Sequence, residues 1–226
     1  MPRSHPAGRQ RELLRVRQSS AAILAPTMST DLELLQRWRE GDRRAGEELL
    51  GRHFDSLVGF FHYKLDDGVE DLIQATMLAC VEGRDRIAHG SFRAYLFGVA
   101  RRMLYQHYRR LRARDHVDFG SCSVRDLGPS PSTAFRRAES RELMIEALRQ
   151  VPIDFQIALE LHYFEGLASP EIAAVLEIET ATVRTRLHRG RKLLRAAFDQ
   201  LSADPERASA MMARLEASRD GTAPRP

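Results

Sequence analysis

Lysine is nearly missing from this chain. Of its 35 basic residues only Lys64 and Lys192 are lysines, and the rest are arginine. A GC-rich genome accounts for that bias first, since arginine codons are GC-rich; arginine also suits bidentate contact with phosphate and guanine. Cysteine is scarce as well. Cys80 and Cys122 stand far apart, with no CxxC and no histidine in ligand spacing, which argues against a zinc site or any other metal or cofactor. Two lone cysteines fit a reducing cytoplasm, the expected location. Aromatic residues make up 7 %, a poor supply for a β-sandwich and an ample one for helices. No apolar run approaches the roughly 18 residues of a membrane span, so no membrane insertion is expected. A Gly-rich phosphate loop, a nucleophile elbow and an HExxH pair are absent too, and no enzyme is expected.

What is present is helical periodicity and clustered positive charge. Hydrophobic residues reach 43 %, enough for a buried core, and the net charge is +4, so the placement of charge matters more than its sum. Residues 1–28 are arginine-rich, poor in acids and without amphipathic period, and read as a disordered N-terminal extension. Residues 29–112 read as four helices. Leu32, Leu35 and Trp38 open the pattern, and Ser91 caps the fourth helix, with its apolar stripe of Phe92, Tyr95, Leu96, Val99 and Met103. Residues 113–132 carry Gly, Ser, Pro and Asp without period and read as a flexible linker. Helical pattern returns over 133–200, and 201–226 form a polar tail in which Ala208 to Leu215 can add a helical turn or two. The expected fold class is all-α: two small helical domains joined by a flexible linker, the C-terminal one containing a helix-turn-helix.

The segment SPEIAAVLEIETATVRTRLHRGRKLL, from Ser169 to Leu194, carries the most information. Ser169 is the expected cap of one helix, with Pro170 at its first position, and Thr180 the expected cap of the next. Ile178 plugs the turn, and Ala173 is small enough for a close crossing. Val183, Leu187 and Leu194 define a buried face on the second helix. Arg184, Thr185, His188 and Arg189 define the opposite face, flanked by Arg186, Arg191 and Lys192. A basic second helix of this kind enters a DNA major groove and pairs arginines with guanine edges. Solvated basic helices also occur in plain bundles, but without the plug, the small crossing residue and the caps.

Two further features are less specific. ARRMLYQHYRRLRAR, from Ala100 to Arg114, has six arginines and no acid, with Tyr105, His107 and Tyr108 interleaved. That is the logic of single-strand binding, cations on phosphates and rings on bases; a charge run by itself is also simply a solvated face. Glu70-Asp71-Leu72-Ile73-Gln74 begins a helix with acids, which either complement the helix dipole or form a docking surface for a protein partner.

EDLIQATML (from Glu70), SFRAYLFGVARRML (from Ser91) and the helix-turn-helix segment (from Phe164) occur in an order and spacing that resembles the sigma-70 family of bacterial RNA polymerase sigma factors, in particular its two-domain extracytoplasmic-function (ECF) group. The resemblance covers about residues 29 to 200. It implies a non-catalytic subunit that binds core RNA polymerase, through the largest-subunit coiled coil and the flap, and directs promoter recognition, melting and initiation. It implies core contacts by Asp71, Leu72, Ile73 and Gln74. Minus-ten capture and melting would fall to Phe92, Tyr95, Arg101, Arg102, Tyr105 and Arg109, and minus-thirty-five readout to the helix bearing Arg184 to Lys192. Promoter DNA and an anti-sigma factor are the other implied partners. Ala75 stands where the family usually has an acid, Tyr95 where it has Trp and Arg102 where it has Asn. Ala168 replaces the usual Ser cap. Glu177 replaces the usual turn glycine, at a cost of about 1 kcal/mol if that position needs positive φ. The alternative is a stand-alone helix-turn-helix regulator, which has no need of the DLIQ segment or of the aromatic-basic helix.

A chain begun at Met28 is expected to bind core polymerase as tightly as the full chain. Core affinity measured by titration checks this, and a loss of about tenfold or more, roughly 1.4 kcal/mol, contradicts it.

Overall fold

Asp31 and Glu33 open the first helix and Arg37 and Arg39 close it, each charge facing the helix pole of opposite sign. This helix, α1 (Asp31–Arg39), turns Leu34, Leu35 and Trp38 inward. A computed structural model describes residues 30–87, 91–112, 117–127, 140–202 and 204–219. The expected extension over 1–28 lies outside these residues, as do the linker segments 113–116 and 128–132 and the tail end 220–226. Gly41, at φ +103°, reverses the chain after α1, and the Asp42 carboxylate then caps α2 (Arg43–Arg52) by accepting from the Arg44 and Ala45 N–H groups. The second expected helix is two, because the chain breaks at His53, whose ring pairs with Asp31 at 2.6 Å; α3 (Phe54–His62) follows. Next come α4 (Val69–Gly83) and, capped by the Ser91 hydroxyl, the 20-residue α5 (Phe92–Leu111).

The second half holds a short α6 (Val124–Leu127), then α7 (Ser140–Gln150), α8 (Ile153–Tyr163), α9 (Ser169–Leu176), α10 (Thr180–Leu201) and α11 (Pro205–Arg219). Among the described residues the only β feature is one isolated bridge, Ser123 to Pro152. No described helix is long and apolar enough to cross a membrane. Gly190 lets α10 cross α8 closely: a Cβ there would stand 3.3 Å from Leu159. The tail is more ordered than its composition suggests. Ala208, Met211 and Leu215, at helical spacing, are all buried, and α11 runs for 15 residues against α8 and α10.

The described part of the expected linker also differs from the sequence reading. Val117, Phe119, Val124 and Leu127 are buried. The Phe119 ring stacks on Tyr105 at 3.8 Å, while the Ile153 and Asp154 N–H groups donate to Cys122 and Phe119 carbonyls. Aperiodic apolar residues carry no helix signal, yet these are buried, and Phe119 bridges Tyr105 of the first half and the Asp154 backbone of the second.

Both halves lie in one compact unit beginning at Asp31. Their seam contains a buried ion pair. The Lys64 ammonium meets the Glu160 carboxylate, donates to the Phe60 carbonyl at 2.8 Å and lies over the Phe60 ring; Gln156 donates to the second Glu160 oxygen at 2.8 Å. Desolvation pushes Lys64 down and Glu160 up from their usual pKa ranges, outweighing the attraction between them. Around the pair, Arg149 of α7 donates to the carbonyls of His62 and Tyr63 at the end of α3 and binds Asp66 at 2.8 Å.

Replacing Lys64→Met alone is expected to cost about 3–5 kcal/mol, because it leaves a buried carboxylate unpaired, whereas Lys64→Met with Glu160→Met should recover most of that loss. The cost of the single change should shrink as pH falls, since the unpaired Glu160, already pushed upward by burial, then takes a proton. Urea unfolding of both variants across pH checks this; equal losses in the single and double variants contradict it.

Candidate nucleic-acid interface

The helix-turn-helix is α9 and α10. Ile172, Ala173, Val175 and Leu176 are buried on α9, and Val183, Leu187, Gly190, Leu194, Ala197 and Phe198 on α10. Both caps differ from the expected residues by one position. Ser169 is the first residue of α9 and Pro170 the second; the cap is Ala168, whose N–H donates to the Glu171 carboxylate at 2.8 Å. Thr180 is likewise inside α10, and Glu179 caps it through its backbone carbonyl, which accepts from Thr182. The turn does need positive φ: Glu177 sits at φ 56°, ψ 45°, where a side chain is strained. Ile178, half-buried, closes the turn through its N–H to the Ala173 carbonyl.

The solvent face of α10 shows Arg184, Thr185, His188, Arg189 and Lys192, all exposed. Positions i, i+1, i+4, i+5 and i+8 occupy one side of a helix, so these five side chains point the same way. The two flanking arginines turn inward. Arg186 pairs with Asp154 at 3.2 Å and lies over the Phe155 ring, and Arg191 donates to the Tyr163 hydroxyl at 3.2 Å. Both are half-buried, which the sequence pattern did not separate from the exposed set.

The basic helix of the first half is α5. Arg102 and Arg109 are exposed and Tyr95 is half-buried against Gly83. Of the expected strand-facing rings, Phe92 and Tyr105 are buried, as is Tyr108. Phe92 packs 5.6 Å from the His53 ring, and the Tyr108 hydroxyl donates to the Lys64 carbonyl at 2.5 Å. The Tyr105 hydroxyl donates to Asp154, and burial holds that phenol well above its usual pKa, so it stays a neutral donor. Phe92, Leu96, Val99, Ala100, Leu104 and Tyr108 form the inward stripe of α5, and a ring on that stripe packs rather than stacks on a base. Arg101, between the two groups, lies 4.6 Å over the Tyr105 ring and donates to the Val175 carbonyl at 3.4 Å.

On α4, Asp71 and Gln74 are exposed and Leu72 is half-buried, but Ile73 is buried and belongs to the core. The sequence reading missed Leu78 and Val81, which are exposed, 56 % and 40 %, on the face that carries Asp71 and Gln74. Two large apolar side chains left in water beside polar ones are the pattern of a protein-docking surface. The available signal was their spacing, seven and ten residues after Asp71.

Comparison with known proteins matches two family models. Residues 49–114 match sigma-70 region 2, and residues 141–194 match sigma-70 region 4. The chain is similar to the RNA polymerase sigma factor CarQ of Myxococcus xanthus, 31 % identical over 178 residues that cover 76 % of this chain and 100 % of CarQ. It is similar to the ECF RNA polymerase sigma-E factor of Escherichia coli, 24 % identical over 179 residues, 73 % of this chain and 92 % of that one. Its fold is similar to that of the sigma factor RpoE solved with the anti-sigma factor NepR from Bartonella quintana. There the TM-score is 0.53, with 21 % identity, covering 68 % of this chain and 96 % of that one.

Glu177→Gly is expected to raise unfolding free energy by about 0.5–1 kcal/mol, since it removes the left-handed strain and loses only two long charge contacts, at 3.9 and 3.7 Å, from a largely exposed carboxylate. Denaturant unfolding checks this; a destabilisation would mean that the Glu177 side chain contributes more than its strain costs.

Proposed function

The chain belongs to the sigma-70 family of RNA polymerase sigma factors, in its ECF group, and directs the polymerase to promoters; on that premise we propose how its surfaces divide the work. Arg184, Thr185, His188 and Arg189 read base edges of the upstream, minus-thirty-five duplex, and Lys192 contacts phosphate. Their common exposure on one side of α10 is the observation that carries this reading. Arg101, Arg102 and Arg109 of α5 hold the melted minus-ten strand, with Tyr95 at its edge. Phe92 supports that surface from beneath. Asp71, Leu72 and Gln74 of α4, joined by Leu78 and Val81, dock on core polymerase, where one apolar patch and two polar groups suit a helical partner.

The protein contributes binding energy and strand capture in the cytoplasm, and the nucleotidyl chemistry stays with the polymerase. An anti-sigma factor is the expected antagonist. The support is the fold shared with RpoE, a sigma factor solved in complex with one.

Run-off transcription on genomic fragments tests the reading. The protein alone should give no specific transcript, and the protein with core polymerase should give one; repression of a promoter without core binding favours a stand-alone regulator. Within the holoenzyme, Arg184→Ala or Arg189→Ala should cost about 1–3 kcal/mol and relax preference at one or two upstream base pairs, while Lys192→Ala weakens binding evenly across sequences. Arg102→Ala should spare upstream preference and reduce permanganate reactivity of unpaired thymines. Altered minus-thirty-five preference in Arg102→Ala, with Arg184→Ala and Arg189→Ala unchanged, contradicts the division.

A further inference from the structure

A cavity of about 330 Å³ lies apart from every surface assigned above to DNA or core polymerase; none of those residues lines it. Its size falls within the range of small-molecule sites, about 300–1,000 Å³. The walls are the turn between α3 and α4, the end of α5, the short α6 and the last turns of α7. Leu65, Tyr108, Leu111, Val124 and Leu127 give it an apolar lining. Leu111 is 63 % exposed, more than any other large apolar side chain among the described residues. An apolar side chain left in water beside an apolar cavity is a contact that a ligand can cover.

The charges around the cavity select the ligand. Most of the cations are already engaged. The Lys64 ammonium is held by Glu160 and the Phe60 carbonyl, and Arg149 by Asp66 and two backbone carbonyls. Arg125 acts on the neighbouring Asp126 carboxylate. Burial and the nearby Arg110 hold the His107 imidazole below its usual pKa range, so at neutral pH it is uncharged and offers one ring nitrogen as an acceptor. Two carboxylates are left. Asp67 is exposed, and Glu146 of α7 is half-buried; neither has a hydrogen bond or ion pair among the described residues. A half-buried carboxylate without a partner is poorly solvated and gains most from a cation that carries its own donors.

We propose that this cavity binds a small primary amine with an apolar body, the ammonium held by Glu146 and the body lying against Leu111, Val124 and Leu127. An anionic ligand meets two free carboxylates and cations that are already committed. A neutral one fills the apolar part and leaves Glu146 unpaired. Residues of both halves line the cavity, so a bound amine also stabilises the folded chain in proportion to its occupancy.

The test uses the full chain with labelled leucine and valine methyl groups, titrated by NMR with phenethylamine as the probe. Phenethyl alcohol and phenylacetate, of nearly the same size, supply the neutral and anionic comparisons. Phenethylamine should shift the methyl signals of Leu65, Leu111, Val124 and Leu127 saturably and raise the midpoint of thermal unfolding. The alcohol should bind about tenfold more weakly and phenylacetate more weakly still. Glu146→Gln should weaken the amine by about tenfold and leave the alcohol as it was. Glu142→Gln, an equal charge change at an exposed site one turn earlier on α7, should leave amine binding unchanged. No saturable shift at these methyls overturns the site. Equal affinity for the three probes overturns the choice of an amine, and the probe series decides this on the natural chain even where Glu146→Gln fails to fold. An equal loss in the Glu142 variant overturns the role of Glu146.

Discussion

The Lys64–Glu160 pair fixes how the second half of this protein sits on the first. Taking both charges out of water is costly, and the attraction between them offsets that cost only when the carboxylate arrives where the ammonium points. The surrounding groups tighten the requirement: the Phe60 carbonyl and ring hold Lys64 from one side, and Gln156 holds Glu160 from the other. Any slip of α8 along the seam leaves a bare charge in an apolar junction. Asp154 precedes Glu160 on the same helix by six residues, so the register that satisfies Lys64 also delivers Asp154 to Tyr105. Neutral packing tolerates small slips, and a buried charge pair does not. The placement of Asp154 against α5 follows from that one alignment.

How much of this was legible in the sequence depends on range. The helix-turn-helix could be read because its signals are local: a repeat of 3.6 residues, a plug at Ile178, and a basic face opposite Val183 and Leu187. The positive φ at Glu177 was suggested only by the resemblance, through the glycine usual at that turn. The caps missed by one residue because a backbone carbonyl at Glu179 and a returning Glu171 carboxylate did what Thr180 and Ser169 were expected to do. Tyr105 and Phe92 were harder. Tyr105 sits in a segment whose charge suggests exposure, and what buries it is Phe119, from a stretch with no periodicity at all, whereas Phe92 already lay on the apolar stripe. Arg186 and Arg191 could not be told from Arg184 and Arg189 by composition, since their partners, Asp154 and Tyr163, lie 32 and 28 positions away. Exposed Leu78 and Val81 went unnoticed because helical spacing marks which residues share a face, and not whether that face is covered.

The two helices proposed above to face DNA, α10 and α5, differ in kind. On α10 the recognition side chains stand on a rigid scaffold, with Gly190 seated on Leu159 and the apolar face fully occupied, so their geometry is set before any ligand arrives. On α5 the equivalent side chains are engaged: Arg101 by a carbonyl, a ring and a carboxylate, and Tyr105 by Asp154 and Phe119. A preset surface suits duplex DNA, whose shape exists beforehand. An engaged surface suits a ligand that itself exists only after melting.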